Sequence, residues 1–211
     1  MNGKTLAFGE DRPKQGRAAA VAAVVVGALA AGGAGLTSGG GAAVDSAPSV
    51  QGKTASKDAA RKGQRQQAWS RLGLRAVKQT VRAELTCTAH AYGEVQRFFA
   101  THPCRKLDRL LLALGDTRGN TVVLSIAWVR MPTSGAAAEL KNLADTDGTG
   151  NVEPLAATAL DLTGVRFTGD HYGSRRSGSL VVIAEAAPAG GHPDAATMDD
   201  AAEVAAEFPP P

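Results

Sequence analysis

Two cysteines and two histidines lie close together in the sequence, and this combination supports more than one chemistry. Cys87 and Cys104 would close a loop of about 18 residues, and a disulfide across such a loop stabilises a fold by roughly 3 kcal/mol. His90 and His102 lie inside the loop, so a tetrahedral zinc site is an alternative, although the single residue between His102 and Cys104 is a tight spacing. Free thiols are the third possibility. We expect the disulfide, because thiols oxidise readily in exported proteins and the N-terminal sequence predicts export.

A run of acidic and glycine residues, DTDGTGNVE, has the pattern of the first part of a calcium-binding loop. Asp145, Asp147, Thr149 and Glu153 occupy its positions 1, 3, 5 and 9. Position 12, where a bidentate glutamate completes the coordination shell, is Ala156. Any calcium binding is therefore expected to be weak. The alternative is a turn that ends a helix, in which the aspartates supply local hydrogen bonds and the glycines supply positive φ.

A second polar segment, FTGDHYGSRR, gathers side chains that are able to bind an anionic ligand or a protein partner. These candidates are His171, Tyr172, Arg175 and Arg176. The alternative is an ordinary exposed connection between two strands. Catalytic signatures such as G-x-S-x-G, the Walker A loop, G-x-G-x-x-G and H-E-x-x-H do not occur in the sequence. We therefore predict no catalytic residue.

The basic residues are concentrated in one segment ahead of an acidic remainder. Residues 53–84 carry nine basic and two acidic side chains, a net charge of +7, whereas residues 85–211 carry ten basic and fifteen acidic ones. A nucleic-acid-binding domain would need a basic face on the domain itself, so this class is excluded. The basic segment suggests a salt-sensitive contact with anionic lipid or wall polymer, and the alternative is a solvated face. Its basic residues are Lys53, Lys57, Arg61, Lys62, Arg65, Arg71, Arg75, Lys78 and Arg82.

The N-terminal sequence predicts a membrane anchor or a signal peptide. The run from Ala18 to Leu36 is uncharged and spans 19 residues, close to the roughly 20 that a helix needs to cross a membrane. Basic side chains within residues 1–17 predict that this end stays in the cytoplasm. The alternative is cleavage at the small-x-small sequence Ala28-Leu29-Ala30. We expect a single-pass membrane protein with its C-terminal domain outside, or a secreted protein if the segment is cleaved.

After this segment we predict a flexible linker over residues 37–63 and a folded domain over residues 64–208. The linker begins with residues rich in Gly, Ser and Ala, which cannot form a core. Leu74, Val77 and Val81 recur at helical spacing opposite basic residues. The domain is therefore predicted to begin with a basic helix over residues 64–84.

The remaining pattern predicts a small α+β domain. A sheet of about four antiparallel strands is expected, with helices on one face. The predicted elements are a helix at 93–101, strands at 107–114 and 121–131 joined by a turn at 116–120, a helix at 136–144, a strand opened by Val165 and Phe167, a polar loop, a strand at 180–187, and a helix at 199–208 capped by Thr197 or Asp199.

Four blocks, CTAHAYGEVQRFFATHPC, GNTVVLSIAWVRMP, DTDGTGNV and FTGDHYGSRRSGSLVVIAEA, resemble a group of uncharacterised membrane-associated or secreted proteins from high-GC Gram-positive bacteria. The resemblance covers roughly residues 85–187. It implies an N-terminal membrane segment and an extracytoplasmic domain, and it carries no assigned activity. We expect a non-enzymatic module for binding or sensing at the cell envelope. The alternative is an envelope enzyme that acts on carbohydrate or peptide.

Overall fold

The computed structural model describes residues 50–211. The predicted N-terminus (1–17), the predicted anchor or signal peptide (18–36) and the first part of the predicted linker lie outside these residues. The helices are α1 (Val50–Arg61), α2 (Arg65–Ser70), α3 (Gly93–Thr101), α4 (Ser134–Ala144) and α5 (Ala195–Ala205). The strands are β1 (Arg75–Glu84), β2 (Lys106–Gly115), β3 (Thr121–Arg130), β4 (Tyr172–Ser177) and β5 (Leu180–Gly190). Within residues 50–211, every helix is too short or too polar to cross a membrane.

The strands form one antiparallel sheet in the order β1-β2-β3-β5-β4. This confirms the predicted α+β class, although the sheet has five strands where about four were expected. β2 and β3 pair along their whole length, as predicted for a hairpin. Asp116 fixes the turn between them, because its carboxylate accepts hydrogen bonds of 2.8 Å from the backbone N–H groups of Arg118 and Asn120.

The predicted basic helix over residues 64–84 is wrong. α2 ends at Ser70, Gly73 adopts a φ of 71°, and strand β1 follows. The residues at helical spacing in this segment include Val77 and Val81, whose β-branched side chains favour a strand once β2 offers a partner. A bulge between Ala76 and Lys78 interrupts the two-residue period that would have indicated the strand.

The second half of the predicted linker is helical, which corrects that boundary. Helix α1 buries Ala59 and Ala60, and its Ser56 hydroxyl donates a hydrogen bond to the Ala68 carbonyl of α2. Alanine is the best helix former, and burial of its methyl groups fixes the helix on the domain. The folded part therefore begins before residue 64.

Helix α1 also carries part of the predicted basic segment, and there the charges are neutralised by α5. Lys53 contacts Glu203 at 2.8 Å, and Lys57 contacts the same carboxylate at 2.6 Å. Arg61 contacts Glu207 at 2.9 Å. These three cations therefore join two helices of one domain.

Helices cover both faces of the sheet, so the predicted placement on one face is wrong. Leu110, Leu112 and Leu114 of β2 pack in one core with residues of α1, α2 and α5. Ala127 and Val129 of β3 pack in a second core with residues of α3 and α4. Successive strand residues point to opposite faces, and Ile126 and Trp128 belong to the first core, so the two cores lie on opposite faces. We call the side of α1, α2 and α5 the helical face, and the side of α3, α4 and residues 145–171 the cleft face.

The C-terminal half contains two further corrections. Val165 and Phe167 lie outside the strands, and the predicted polar loop contains strand β4. Helix α5 begins earlier than predicted, because the side chain of Asp194, and not Thr197 or Asp199, accepts the capping hydrogen bond from the Thr197 N–H. The predicted helices at 93–101 and 136–144 and the predicted strand at 180–187 correspond to α3, α4 and β5.

Candidate functional site

A cavity of about 670 Å³ opens on the cleft face. One wall is the loop that follows α4, the other is the loop that precedes β4, and Tyr92 stands beside the start of α3. Glu185 of β5 lies opposite Tyr172 of β4 in the sheet register and contributes to the floor. We call this cavity the acidic cleft. Its lining residues are Tyr92, Gly93, Ala144, Asp145, Thr146, Asp147, Gly148, Gly150, Asn151, Phe167, Thr168, Gly169, Asp170, Tyr172 and Glu185.

The first wall is held rigidly against the N-terminus of α3. The Thr149 carbonyl accepts hydrogen bonds from the backbone N–H groups of Glu94, at 2.6 Å, and Val95, at 3.3 Å. Gly93 and Gly150 both have positive φ, and a Cβ on Gly150 would lie 2.2 Å from the Tyr92 carbonyl oxygen. Only glycine permits this backbone approach. The wall therefore satisfies helix-terminal donors while it shapes the cleft.

Strand β4 forms the next part of the acidic cleft, because its side chains alternate between the two faces of the sheet. Tyr172 and Ser174 point to the cleft face, and both hydroxyls donate to the Asp145 carboxylate, at 3.1 and 2.6 Å. Gly173 points to the helical face, where a Cβ would lie 2.7 Å from the Ala202 carbonyl oxygen of α5. This glycine lets α5 pack closely on β4, which holds Tyr172 against the α4 loop.

Burial alone would raise the pKa of Asp145, but hydrogen bonds from Lys141, Ser174 and Tyr172 outweigh it and lower that pKa. Asp145 is therefore an ionised, firmly held carboxylate. Burial, and the charge of Asp145 next to it, raise the pKa of the Tyr172 hydroxyl well above its usual value, so the phenol stays protonated. It acts as a hydrogen-bond donor within the wall.

Glu185 is the unusual residue of the cleft. It is only 7% exposed, and its carboxylate accepts a hydrogen bond from the Gly169 N–H. Burial raises its pKa, Asp170 raises it further, and the Gly169 hydrogen bond and His171 oppose the shift. No lysine or arginine forms an ion pair with Glu185 within residues 50–211. A buried carboxylate without such a partner is costly and marks a candidate site.

The cleft combines negative charge with aromatic surface. Four carboxylates of the described residues line it, those of Asp145, Asp147, Asp170 and Glu185, and no lysine, arginine or histidine of residues 50–211 is among the lining residues. Tyr92, Phe167 and Tyr172 add three aromatic rings. Burial, with the charges of Glu185 and Glu153, raises the pKa of the Tyr92 hydroxyl. The arrangement suits a ligand that carries a positive charge next to an apolar surface.

The disulfide prediction is confirmed. Cys87 and Cys104 are bonded, with their Cα atoms 6.0 Å apart. The zinc alternative is wrong, because both sulfurs are used and the histidines have other contacts. His90 lies 3.2 Å from a Glu84 carboxylate oxygen, and the His102 ring stacks on Phe98. The bridge joins the two ends of the segment that contains α3, and so braces the helix on which the cleft wall rests.

The four candidate calcium ligands are not brought together. Asp145 and Asp147 line the acidic cleft, whereas the Thr149 hydroxyl donates to the Leu143 carbonyl at 2.6 Å. Glu153 lies in a separate pocket beside Pro154. In the part of the chain that the structure describes, no group of three or more His, Cys, Asp or Glu side chains is placed to hold a metal ion. The segment forms the helix-ending turn that was the alternative interpretation.

The four candidate residues of the FTGDHYGSRR segment lie in strand β4 or next to it, and the fold does not bring them together in one site. Tyr172 alone lines the cleft. His171 contacts Asp199 of α5 at 2.7 Å, and Arg175 contacts Glu207 at 3.1 Å. Arg176 donates to the Gly178 carbonyl of the following turn. Three of the four therefore fasten β4 to its surroundings.

Sequence reasoning missed Glu185, Tyr92 and Phe167. A signal for Glu185 is present, because it is the one charged side chain within the apolar run of β5. Tyr92 and Phe167 had no such signal, since their roles depend on loops that meet only in the fold. Comparison of the chain with family models, with curated proteins and with solved structures finds no significant match.

Proposed function

We propose that this chain is a non-enzymatic binding or sensing module of the cell envelope whose acidic cleft captures a small ligand with a positively charged group. The observation that carries the proposal is the buried Glu185 carboxylate in a cleft that, among residues 50–211, is lined by three more acidic side chains and no basic one. A ligand cation would offset the desolvation of Glu185.

The size and walls of the cleft support a small ligand. Its volume of about 670 Å³ lies inside the range of roughly 300 to 1,000 Å³ that is typical of small-molecule sites. Aromatic rings next to a cation add about 0.5 to 2 kcal/mol through cation–π attraction. Amino sugars and short polyamines have this combination of size, charge and apolar surface.

The location outside the cytoplasm rests on two features. The Cys87–Cys104 disulfide is typical of oxidising compartments. The uncharged run from Ala18 to Leu36, behind a basic N-terminus, is typical of an anchor or a signal peptide. Both features support the proposal of a single-pass protein with its domain outside, or of a secreted form.

The test is calorimetric titration of the full chain with matched probes. Glucosamine and putrescine are the cationic probes, and glucose and 1,4-butanediol are their neutral counterparts of similar size. We expect the cationic probes to bind at least tenfold more tightly. Glu185→Gln should remove this preference, because the amide keeps a hydrogen-bond acceptor for Gly169 but loses the charge.

Glu139→Gln is the matched control, since Glu139 is an exposed acid of α4 outside the cleft. It should bind the cationic probes as the parent does. Equal binding of charged and neutral probes, or equal loss in both variants, would contradict the proposal.

The second candidate is an envelope hydrolase that acts on carbohydrate or peptide. The observation that favours it is a pair of carboxyl groups whose pKa values move in opposite directions, with that of Glu185 raised and that of Asp145 lowered. Glu185 would act as the general acid and Asp145 as the ionised partner. Release of reducing ends or free amines from cell-wall material, lost in Glu185→Gln and kept in Glu139→Gln, would select this function over binding.

A further inference from the structure

A second site of opposite charge lies on the far side of the sheet. A groove of about 410 Å³ runs between α2 and β1. Its floor is formed by Trp69, Leu74 and Leu112. Arg65 and Arg75 are among its lining residues, and no acidic side chain of the described residues is. We call it the basic groove.

Among the described residues, the arginines of this region form no ion pair, whereas several neighbouring basic residues do. Lys53, Lys57 and Arg61 contact acids of α5, and Lys78 contacts Asp161 at 3.0 Å. Within residues 50–211, no ion pair engages the other basic residues of the 53–84 segment. These are Lys62, Arg65, Arg71, Arg75 and Arg82. Of these, Arg65 and Arg75 line the basic groove, and Arg75 and Arg82 belong to β1.

In the part of the chain that the structure describes, β1 is an edge strand beside this groove. It is the first strand in the sheet order and pairs with β2 alone among the described strands. Ten residues long, it presents Val77, 57% exposed, and Val81, 37% exposed. Every second N–H and C=O pair of such an edge faces outward and is able to pair with another chain.

We infer that β1 and the basic groove together form a docking site for an extended acidic peptide segment of a partner protein. The segment would add to the sheet beside β1 through main-chain hydrogen bonds, and one large apolar side chain would enter the groove. Its acidic side chains would face Arg75 and Arg82. Arg75 belongs to both the strand and the groove, which makes the two features one surface.

Charge and shape select this occupant over two others. β1 carries three basic side chains and one acidic one, so two copies of the chain would bring like charges together. A membrane surface would contact a convex apolar patch, whereas the buried apolar residues of the groove, Trp69, Leu74 and Leu112, form the floor of a concavity.

The test is fluorescence anisotropy of the full chain with a labelled ten-residue peptide in which Glu alternates with Val and one Val is replaced by Phe. A peptide with Lys in place of every Glu is the reversed probe. We expect saturable binding of the acidic peptide alone, weakened at least tenfold between low and high salt. Arg65→Glu/Arg75→Glu should weaken it at least tenfold.

Two further variants distinguish peptide binding in the groove from general electrostatic attraction. Ala76→Trp, at an exposed lining position, should fill the groove and reduce binding several-fold without a change of charge. The matched charge control is Arg105→Glu/Arg130→Glu, exposed positions at the opposite end of β2 and β3, and it should bind as the parent does.

Three results would overturn the inference. One is equal weakening by the groove and control reversals. Another is that the chain binds anionic phosphatidylglycerol vesicles but not the peptide, and that Arg65→Glu/Arg75→Glu abolishes this vesicle binding. The surface would then be a membrane contact. The third is a concentration-dependent dimer of the parent that the same reversal dissociates, since this would make β1 an interface between copies of the chain.

Discussion

The two faces of the sheet differ in how their buried residues are packed. On the helical face, one continuous apolar core joins α1, α2 and α5 to the sheet, and it contains Trp69, Trp128 and Phe208. On the cleft face, the buried apolar residues divide into two clusters. Glu185 lies among them with the acidic cleft above it. The apolar packing that stabilises the fold is therefore concentrated on the helical face, whereas the cleft face has a polar cavity where further apolar contacts would otherwise lie.

This contrast teaches that an acidic cleft needs support from elsewhere in the fold. A buried carboxylate without a basic partner destabilises the folded state, and aromatic packing on the other side of the same strands offsets this cost. The disulfide adds local support on the cleft face. Substitutions in the apolar core of the helical face should therefore change stability, and substitutions of the acidic-cleft lining should change binding of the cationic ligand.

The largest effect is expected for Trp128→Ala. Trp128 is 1% exposed, and its indole N–H donates a 2.8 Å hydrogen bond to the Phe208 carbonyl. Its loss should lower the free energy of unfolding by about 3 to 5 kcal/mol in a denaturant titration. The cationic preference of the remaining folded protein should be unchanged. A loss below about 1 kcal/mol would contradict the assignment of stability to this face.

The next effect is expected for removal of the disulfide. Cys87→Ala/Cys104→Ala should cost about 3 kcal/mol of stability, because the unfolded chain regains the entropy of a loop of about 18 residues. Thermal unfolding with and without reductant is the measurement. The parent should fall to the level of the double variant when reduced, and the variant should not respond. Two alkylatable thiols in the folded parent would refute the bridge.

A smaller effect is expected in the pH dependence of stability. The pKa of Glu185 is raised in the folded state, so the folded protein binds more protons than the unfolded chain between the ordinary glutamate pKa of about 4.3 and that raised pKa. The stability of the parent relative to Glu185→Gln should thus fall as pH rises through this window and then level off. Parallel curves of stability against pH for the parent and Glu185→Gln would show that folding does not raise the pKa of Glu185.

The smallest effect is expected at the helical surface between α1 and α5. Lys53→Met/Lys57→Met removes two cations that share Glu203, and the part-exposed geometry predicts a loss of about 1 kcal/mol or less. The loss should shrink at high salt. Denaturant titrations of parent and variant at two salt concentrations measure it, and a salt-independent loss of several kcal/mol would mean that these lysines are part of the core.

Parts of the fold could be predicted where the local sequence pattern and the tertiary packing favour the same structure. The β2–β3 hairpin has apolar strands and a turn fixed by Asp116, and α3 has the bounds that its periodicity indicates. β1 could not be predicted in the same way, because its valines fit a helical period and a bulge disturbs the strand period. β4 escaped prediction because YGSRRS has no apolar alternation, and its pairing with β5 fixes it.

The site was predictable only in pieces. Asp145 and Tyr172 were candidates for two different ligands, and nothing in the local sequence indicates that their side chains meet at 3.1 Å. That contact depends on Gly173, which lets α5 pack against β4, and on α4 packing on the other face. Sites formed by loops from distant segments have no local signature of their own.

The most direct test of the account is an NMR titration of the ¹⁵N-labelled full chain with glucosamine. The cleft is lined by Gly148, Gly150 and Gly169, whose backbone N–H signals lie in the glycine region of the spectrum. We expect saturable shifts of these signals, with none for α1 or α2, and saturation at least tenfold weaker in Glu185→Gln. Shifts concentrated on the helical face, or unchanged saturation in Glu185→Gln, would contradict the assignment of binding to the cleft face.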